Sequence, residues 1–271
     1  MGLGDMSARC ARAGFTLLEL MVVIAIILLL AGLASRVSRT ALERGRMSRC
    51  ANQLRQLAVA NQMYADENGT FVAAAADLNG RNLQRWHGAR KNTRQPFDGK
   101  LGPLVPYLGT GSAEFRACPS FRIARGSEAA TGFEASCGGY GYNSIGVGSQ
   151  TYVMGMHAQA SQKGLRPAQI QNPARTIMFT DTAFPQPYGS NPRYVIEYSF
   201  AEPYHWVFNA GEESGFRADP SIHFRHGGRA NVVWCDGHLS VERLETRAQE
   251  HFTRWNVGWF GPPDNSFFSP Y

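Results

Sequence analysis

The sequence predicts an α+β protein, with one long N-terminal helix packed on an antiparallel β-sheet head that carries long loops. The chain has 271 residues and no proline before Pro96. Of its 16 Phe, 10 Tyr and 5 Trp residues, only Phe15 precedes Tyr64. A proline-free, aromatic-poor start favours a helix, whereas proline and aromatic residues favour loops and strands. Hydrophobic residues at 44% and charged residues at 18% exclude a disordered chain and a many-pass membrane protein.

The first elements are a polar leader and an apolar helix. Residues 1–14 contain Arg9 and Arg12, and the mostly apolar run from residue 15 to 34 has one charge, at Glu19. A helix of roughly twenty residues is about 30 Å long, which is the thickness of a bilayer core. We therefore predict a removable leader at 1–14 and a transmembrane or assembly helix at 15–35.

Three interpretations of this front segment compete. A secretory signal peptide accounts for the basic start, the apolar stretch and the small residues at 31–34. A plain membrane anchor accounts for the apolar stretch alone. Both leave Glu19 unexplained, because a carboxylate within hydrocarbon costs a few kcal/mol and usually marks a function.

The third interpretation accounts for Glu19. The run from Gly14 through Phe15 to Glu19 resembles the cleavage and methylation site of type IV prepilins and type II secretion pseudopilins. The resemblance implies that a prepilin peptidase cuts between Gly14 and Phe15, and that the new amino group of Phe15 is N-methylated. The Glu19 carboxylate can pair with the positive N-terminus of a neighbouring subunit, which offsets the cost of burying both charges. The implied partners are the peptidase, other pilin or pseudopilin subunits and the inner membrane.

The distribution of arginine opposes the orientation that this family implies. Two arginines precede the apolar run, and five follow it closely: Arg36, Arg39, Arg44, Arg46 and Arg49. The positive-inside rule would keep the head in the cytoplasm. The family places the head in the periplasm or on an extracellular filament, and we give the processing motif more weight.

A second, amphipathic half continues the helix over 36–68. Apolar residues recur at spacings of three and four, which stripes one face: Met47, Cys50, Leu54, Leu57, Ala60 and Tyr64. The pair Asn68-Gly69 is a typical stop signal. We interpret the stripe as the seam that docks the head, not as a cofactor site.

The head is predicted to occupy 69–271. The run 175–181 has the composition of a buried strand between two prolines. Three strand-like runs between 221 and 243 predict an antiparallel β-meander. Asp236-Gly237 supplies a favoured two-residue hairpin turn within that meander.

Several head residues resemble a large-headed group of prepilin-like proteins with a His-x9-Asp-Gly signature, the DUF1559-type proteins. The matching residues are His226, Asp236 and Gly237, together with Cys118-Pro-Ser, Tyr142-Asn143 and the strand ending at Asp181. The resemblance implies a pseudopilin-like fold with a head of pilin type. It supplies no defined activity.

A metal site finds little support in the sequence. The ligand-type residues are Asp181, His226, Asp236 and His238. In the predicted meander, His226 and Asp236 lie roughly 15 Å apart at the strand rise and do not share an ion. We predict no metal and no cofactor.

Catalysis is not indicated either. The segment around Ser144 fails the nucleophile-elbow spacing, because Gly141 lies three residues before the serine instead of two. The glycines at 138–148 match neither a P-loop nor a dinucleotide fingerprint. Basic residues are scattered apart from a patch at Arg85, Arg90, Lys91 and Arg94, so nucleic acid is not indicated. We predict that the protein is not an enzyme.

Four cysteines remain after the leader, at positions 50, 118, 137 and 235. Cys118 and Cys137 are the candidate disulfide in an oxidising periplasm, although spacing alone leaves two unrelated thiols equally open. The aromatic tail 251–271 is predicted to wrap the sheet, with a partner-binding patch as the alternative.

These observations predict a structural subunit of a pilus or type II secretion-type pseudopilus. The alternative is a membrane-anchored extracytoplasmic binding module that does not polymerise.

Overall fold

The computed structural model describes residues 15–109, 117–121, 134–186 and 192–271, without the side chains of 33–39 and 246–247. The chain divides into two compact units, Met1–Glu43 and Arg44–Tyr271. The second half of the long helix therefore belongs to the same unit as the head. The predicted leader at 1–14 lies outside the described residues.

The long helix α1 spans Leu17–Asn68. It ends where Asn68-Gly69 predicted. Gly69 adopts φ +76°, a left-handed conformation that suits glycine, and its N–H donates to the Ala65 carbonyl at 2.8 Å. Of the helical residues that the structure describes, none forms a stretch both long and apolar enough to cross a membrane. The membrane span predicted at 15–35 is not supported within that part of the chain.

The predicted apolar stripe of α1 is confirmed as the seam with the head. Cys50, Leu54, Leu57 and Ala60 are buried in the main core. Beside them, the buried Asn61 accepts from the Val72 N–H at 3.0 Å and donates to the Tyr142 hydroxyl at 3.1 Å. The seam thus combines apolar packing with a satisfied polar contact.

The head consists of short strands and helices joined by long loops. Its strands are β1 Gln84–Arg85, β2 Gly88–Ala89, β3 Tyr140–Asn143, β4 Ile177–Asp181, β5 Phe184–Gln186, β6 Tyr194–Ile196, β7 Phe200–Ala201, β8 Ile222–His223, β9 Arg229–Trp234, β10 Leu239–Arg243, β11 Thr246–Arg247 and β12 Val257–Trp259. Further α-helices in the described part of the chain include α2 Thr151–Met154 and α3 Glu250–Thr253, and 3-10 turns occur there at Gly99–Leu101, Val105–Tyr107, Ala160–Gln162 and Pro167–Gln169.

Five strands form the main sheet in the order β10-β9-β4-β3-β7. All neighbours are antiparallel except β3 and β7, which pair in parallel. The fold is therefore mixed α+β as predicted, but its main sheet is mixed instead of purely antiparallel. The strand predicted at 175–181 is confirmed as β4, which is buried along its whole length.

The predicted meander over 221–243 is only partly correct. β9 and β10 form the expected antiparallel hairpin, but β8 pairs with β12 in a separate sheet of order β11-β12-β8. The hairpin loop is also longer than predicted. Trp234 and His238 close it with a backbone hydrogen bond of 3.0 Å, so three residues form the loop, with Gly237 at φ +87°.

The aromatic tail wraps the head, as the favoured interpretation predicted. Phe252, Trp259, Phe260 and Phe268 are buried, and β12 within the tail joins the sheet of β8. On the other side of the main sheet, the side chains of Trp86, Tyr142 and Phe179 pack together in the core shared with α1.

Candidate functional site

The start of α1 carries the residues on which the predicted processing and assembly depend. Gly14 lies outside the described residues, and Phe15 is 84% exposed. Thr16 and Glu19 bond reciprocally: the Thr16 N–H and hydroxyl donate to Glu19 Oε2 at 2.9 and 2.8 Å, and the Glu19 N–H donates to the Thr16 hydroxyl at 3.2 Å. This is a capping box, which satisfies N–H groups that have no partner within a helix.

Glu19 therefore has a role within its own chain that the sequence reasoning missed. The signal was present, since Thr16 and Glu19 have the spacing of a capping box. The carboxylate lies at the positive end of the α1 dipole, one turn from Phe15.

In the head, a buried carboxylate joins three segments. Asp181, at the end of β4, accepts from Arg225 Nη2 at 2.7 Å, and from the N–H and side-chain amide of Asn231 at 2.8 and 3.0 Å. Its Oδ2 lies 3.4 Å from His226 Nε2. Arg225 also donates to the carbonyls of Gly139 and Thr182. The carboxylate thereby ties β4 to β9 and to the loop after β8.

The electrostatics of this cluster keep Asp181 ionised. Burial by itself would raise the pKa of Asp181, but the Arg225 charge and the hydrogen bonds from His226 and Asn231 lower it below the usual value. The neighbouring His223, in contrast, is uncharged. Burial, and then the Arg225 charge, lower its pKa well below the ordinary range, so this imidazole is neutral.

The structure corrects the predicted disulfide. Cys118 is bonded to Cys50 on α1, not to Cys137, and Cys137 is a buried free thiol. The sequence spacing of Cys118 and Cys137 was uninformative, because helix docking brings a residue 68 positions away to Cys118. The bond joins α1 covalently to the head.

The four metal-ligand candidates fall into two separate pairs. Asp181 and His226 form the buried pair. Asp236 and His238 form a partly exposed pair on the hairpin loop, where Asp236 Oδ1 lies 2.6 Å from His238 Nδ1 and accepts from the His238 N–H at 3.0 Å. Asp236 and Gly237 are explained by the loop that they form.

The predicted basic patch is divided by burial. Arg85 is buried and its Nη2 lies 2.8 Å from Glu134, while Arg90 stacks on the Phe97 ring at 4.3 Å. His87 Nε2 lies 3.8 Å from Glu134 Oε2, which is too long for a hydrogen bond. Burial alone would raise the pKa of Glu134, but the charge of Arg85 and its hydrogen bonds lower it below the usual value. These residues are part of the interior, not of a cationic surface.

Comparison with known proteins supports the prepilin-like interpretation of the N-terminus. Residues 9–35 match the family described as the prokaryotic N-terminal methylation motif. No curated protein matches the chain, and no solved structure matches it. The match supports a type IV prepilin-like protein that is processed in this segment and implies a prepilin peptidase and other pilins as partners.

Proposed function

We propose that this protein is a prepilin-like structural subunit that is cut between Gly14 and Phe15, methylated on Phe15 and assembled through α1 into a pilus or type II secretion-type pseudopilus. The observation that carries the proposal is the methylation motif at 9–35, with Glu19 in the first turn of the long helix α1. Before assembly, the apolar N-terminal segment anchors the subunit in the inner membrane. The head, of pilin and DUF1559 type, lies in the periplasm or on the extracellular filament.

The chemistry of Glu19 provides the assembly step. In one subunit, the carboxylate is bonded to Thr16 at the helix start. In the filament, the same carboxylate faces the methylated amino group of a neighbouring Phe15. An unpaired charge in an apolar helix bundle is strongly unfavourable, so only the register that pairs the two charges is populated. No catalytic step by this chain is part of the proposal.

The experiment substitutes Gly14 and Glu19 separately in the full chain and follows processing and incorporation into filaments. Gly14→Leu is expected to block cleavage, whereas Glu19→Ala is expected to leave cleavage intact and to reduce incorporation strongly. Glu19→Gln retains the bonds to Thr16 but lacks the charge, so it separates the assembly role from the capping role. Incorporation of Glu19→Ala at the wild-type level would contradict the proposal.

A further inference from the structure

Three side chains with metal-binding atoms meet at the seam between α1 and the head. They are Cys50 on α1, Cys118 and His226, and their sulfur and ring-nitrogen atoms all lie within 4.8 Å of one another. All three residues are buried. Within the described parts of the chain, this is the one group of three such residues that meets these distances.

One sulfur–nitrogen distance in the group fits a tetrahedral thiolate–imidazole site, and the two sulfurs reach separate ligand positions once their bond is reduced. Zinc binds Cys sulfur at about 2.3 Å and His nitrogen at about 2.0–2.1 Å, so a sulfur and a nitrogen on one tetrahedral ion lie about 3.6 Å apart. The distance between Cys118 Sγ and His226 Nε2 is 3.6 Å. Two of the three ligand atoms therefore already have the separation that such an ion requires.

We propose that reduction of the Cys50–Cys118 disulfide converts this seam into a binding site for one thiophilic divalent cation of the Zn²⁺ class, held by both sulfurs and by His226 Nε2. A dithiol reductant is oxidised to its disulfide and transfers two electrons and two protons, so that the S–S bond becomes two thiols. The cation then displaces both thiol protons. His226 carries its proton on Nδ1 and gives up its contact with Asp181, so that the Nε2 lone pair is free, and the cation forms two sulfur–metal bonds and one nitrogen–metal bond. The fourth position is left to water, as in open zinc sites.

Charge balance favours this occupant. Two thiolates and one divalent cation sum to zero, so the buried unit avoids the cost of an uncompensated charge. Among the described residues, Asp181 Oδ2 lies 3.4 Å from His226 Nε2, and Arg225 is paired with the other oxygen of that carboxylate. The charges of Asp181 and Arg225 therefore also cancel. A soft cation is preferred over Ca²⁺ or Mg²⁺, because two of the three ligands are sulfur.

The remaining thiols provide an internal control. Burial raises the pKa of Cys137 well above its usual value and also raises that of Cys235. Both thiols are free whether or not the disulfide is formed. A cation that bound Cys137 or Cys235 would therefore bind the oxidised and the reduced protein alike, whereas a cation at the seam binds only the reduced protein.

The test titrates Co²⁺, a spectroscopic substitute for Zn²⁺, into the full chain before and after reduction with a dithiol that is then removed under anaerobic conditions. The reduced wild type is expected to bind one Co²⁺ with a thiolate-to-cobalt charge-transfer band that Zn²⁺ abolishes. The oxidised protein is expected to show no band. His226→Ala is expected to weaken binding by about tenfold or more, whereas Cys137→Ser is expected to bind as the wild type does.

Near-ultraviolet circular dichroism, recorded on each sample, shows whether the core is intact. The proposal is overturned if the reduced wild type shows no band, if the oxidised protein shows the same band, or if His226→Ala binds with unchanged affinity. It is also overturned if reduction abolishes the tertiary signal and Zn²⁺ does not restore it. A band that is lost in Cys137→Ser would place the cation elsewhere and would equally contradict the proposal.

Discussion

At Asp181, one carboxylate holds together the strand that carries it, β9 through Asn231 and the loop after β8 through Arg225. Replacement by Asn keeps the shape but removes the charge that compensates the buried guanidinium. Breaking a buried ion pair from one side typically costs about 3–5 kcal/mol. We expect Asp181→Asn to lower the free energy of unfolding by that amount in urea denaturation.

Asp236 provides the matched control for this prediction. It also pairs with a histidine, but its side chain is 35% exposed, and an Asn retains the hydrogen bond from the His238 N–H. Exposed pairs contribute about 0–1 kcal/mol. If Asp236→Asn destabilised the protein as much as Asp181→Asn does, the hairpin loop and not the interior would hold the essential carboxylate.

Glu202 makes the stability of the head depend on pH. Burial raises its pKa to about 7, although the Tyr198 hydroxyl donates to Oε1 at 2.7 Å and opposes the shift. Because the folded-state pKa is above the unfolded value, the folded protein binds more protons between the two, and stability falls as pH rises through that window. The loss is about 3 kcal/mol between about pH 4.5 and about pH 8.

The substitution Glu202→Gln is expected to remove this loss, because the amide does not ionise. Denaturation near pH 5 and near pH 8 would show the variant gaining stability relative to the wild type at the higher pH. Glu250→Gln is the control, since that side chain is 91% exposed. A difference between Glu202→Gln and the wild type that did not change with pH would rule out the titration of Glu202.

At the scale of elements, the β9–β10 hairpin depends on one left-handed residue. Gly237 has φ +87°, and a Cβ added there would meet nothing within 4 Å. The cost of Gly237→Ala is therefore conformational and not steric, and is expected to be about 1–2 kcal/mol. Thermal unfolding of the variant measures it.

Gly215 is the control glycine. A Cβ added there also meets nothing within 4 Å, but its backbone is not left-handed. Gly215→Ala is expected to be neutral or slightly stabilising. Equal destabilisation by both substitutions would mean that the conformation of the loop at Gly237 is not what stabilises the hairpin.

The elements that the sequence predicted well are those with local signals. Asn68-Gly69 ended α1, and the apolar run ending at Asp181 became β4. β8 was assigned to the wrong sheet, because its two residues pair with β12, more than thirty positions along the chain. No local pattern encodes a pairing over that separation.

Long-range packing also explains why the contact between Asp181 and His226 in the head was not predicted. Asp181 and His226 were both recognised as ligand-type residues, but their meeting depends on how β4 and the loop after β8 pack. The Cys50–Cys118 bond likewise follows from the docking of α1, whereas sequence spacing could not decide between a bond to the nearer Cys137 and two unrelated thiols. The capping role of Glu19, in contrast, was encoded locally and was missed.

For the whole molecule, the Cys50–Cys118 bond stabilises the docking of α1 on the head. It closes a loop with a sequence separation of 68. Loss of such a constraint on the unfolded chain costs about 4 kcal/mol in the chain-entropy account. Reduction in the absence of metal is therefore expected to lower the denaturation midpoint of the wild type. The Cys137→Ser variant, under oxidising conditions, is expected to keep the midpoint of the oxidised wild type. An unchanged midpoint on reduction would show that the bond does not constrain the unfolded chain.

The identity of the mature N-terminus tests the account most directly. Intact-mass and N-terminal peptide analysis of the protein isolated from cells with a prepilin peptidase is expected to give a chain that begins at Phe15 and carries one additional methyl group. A chain that retains residues 1–14, or one that is cut after Ala34 as a secretory signal peptide would be, would contradict it.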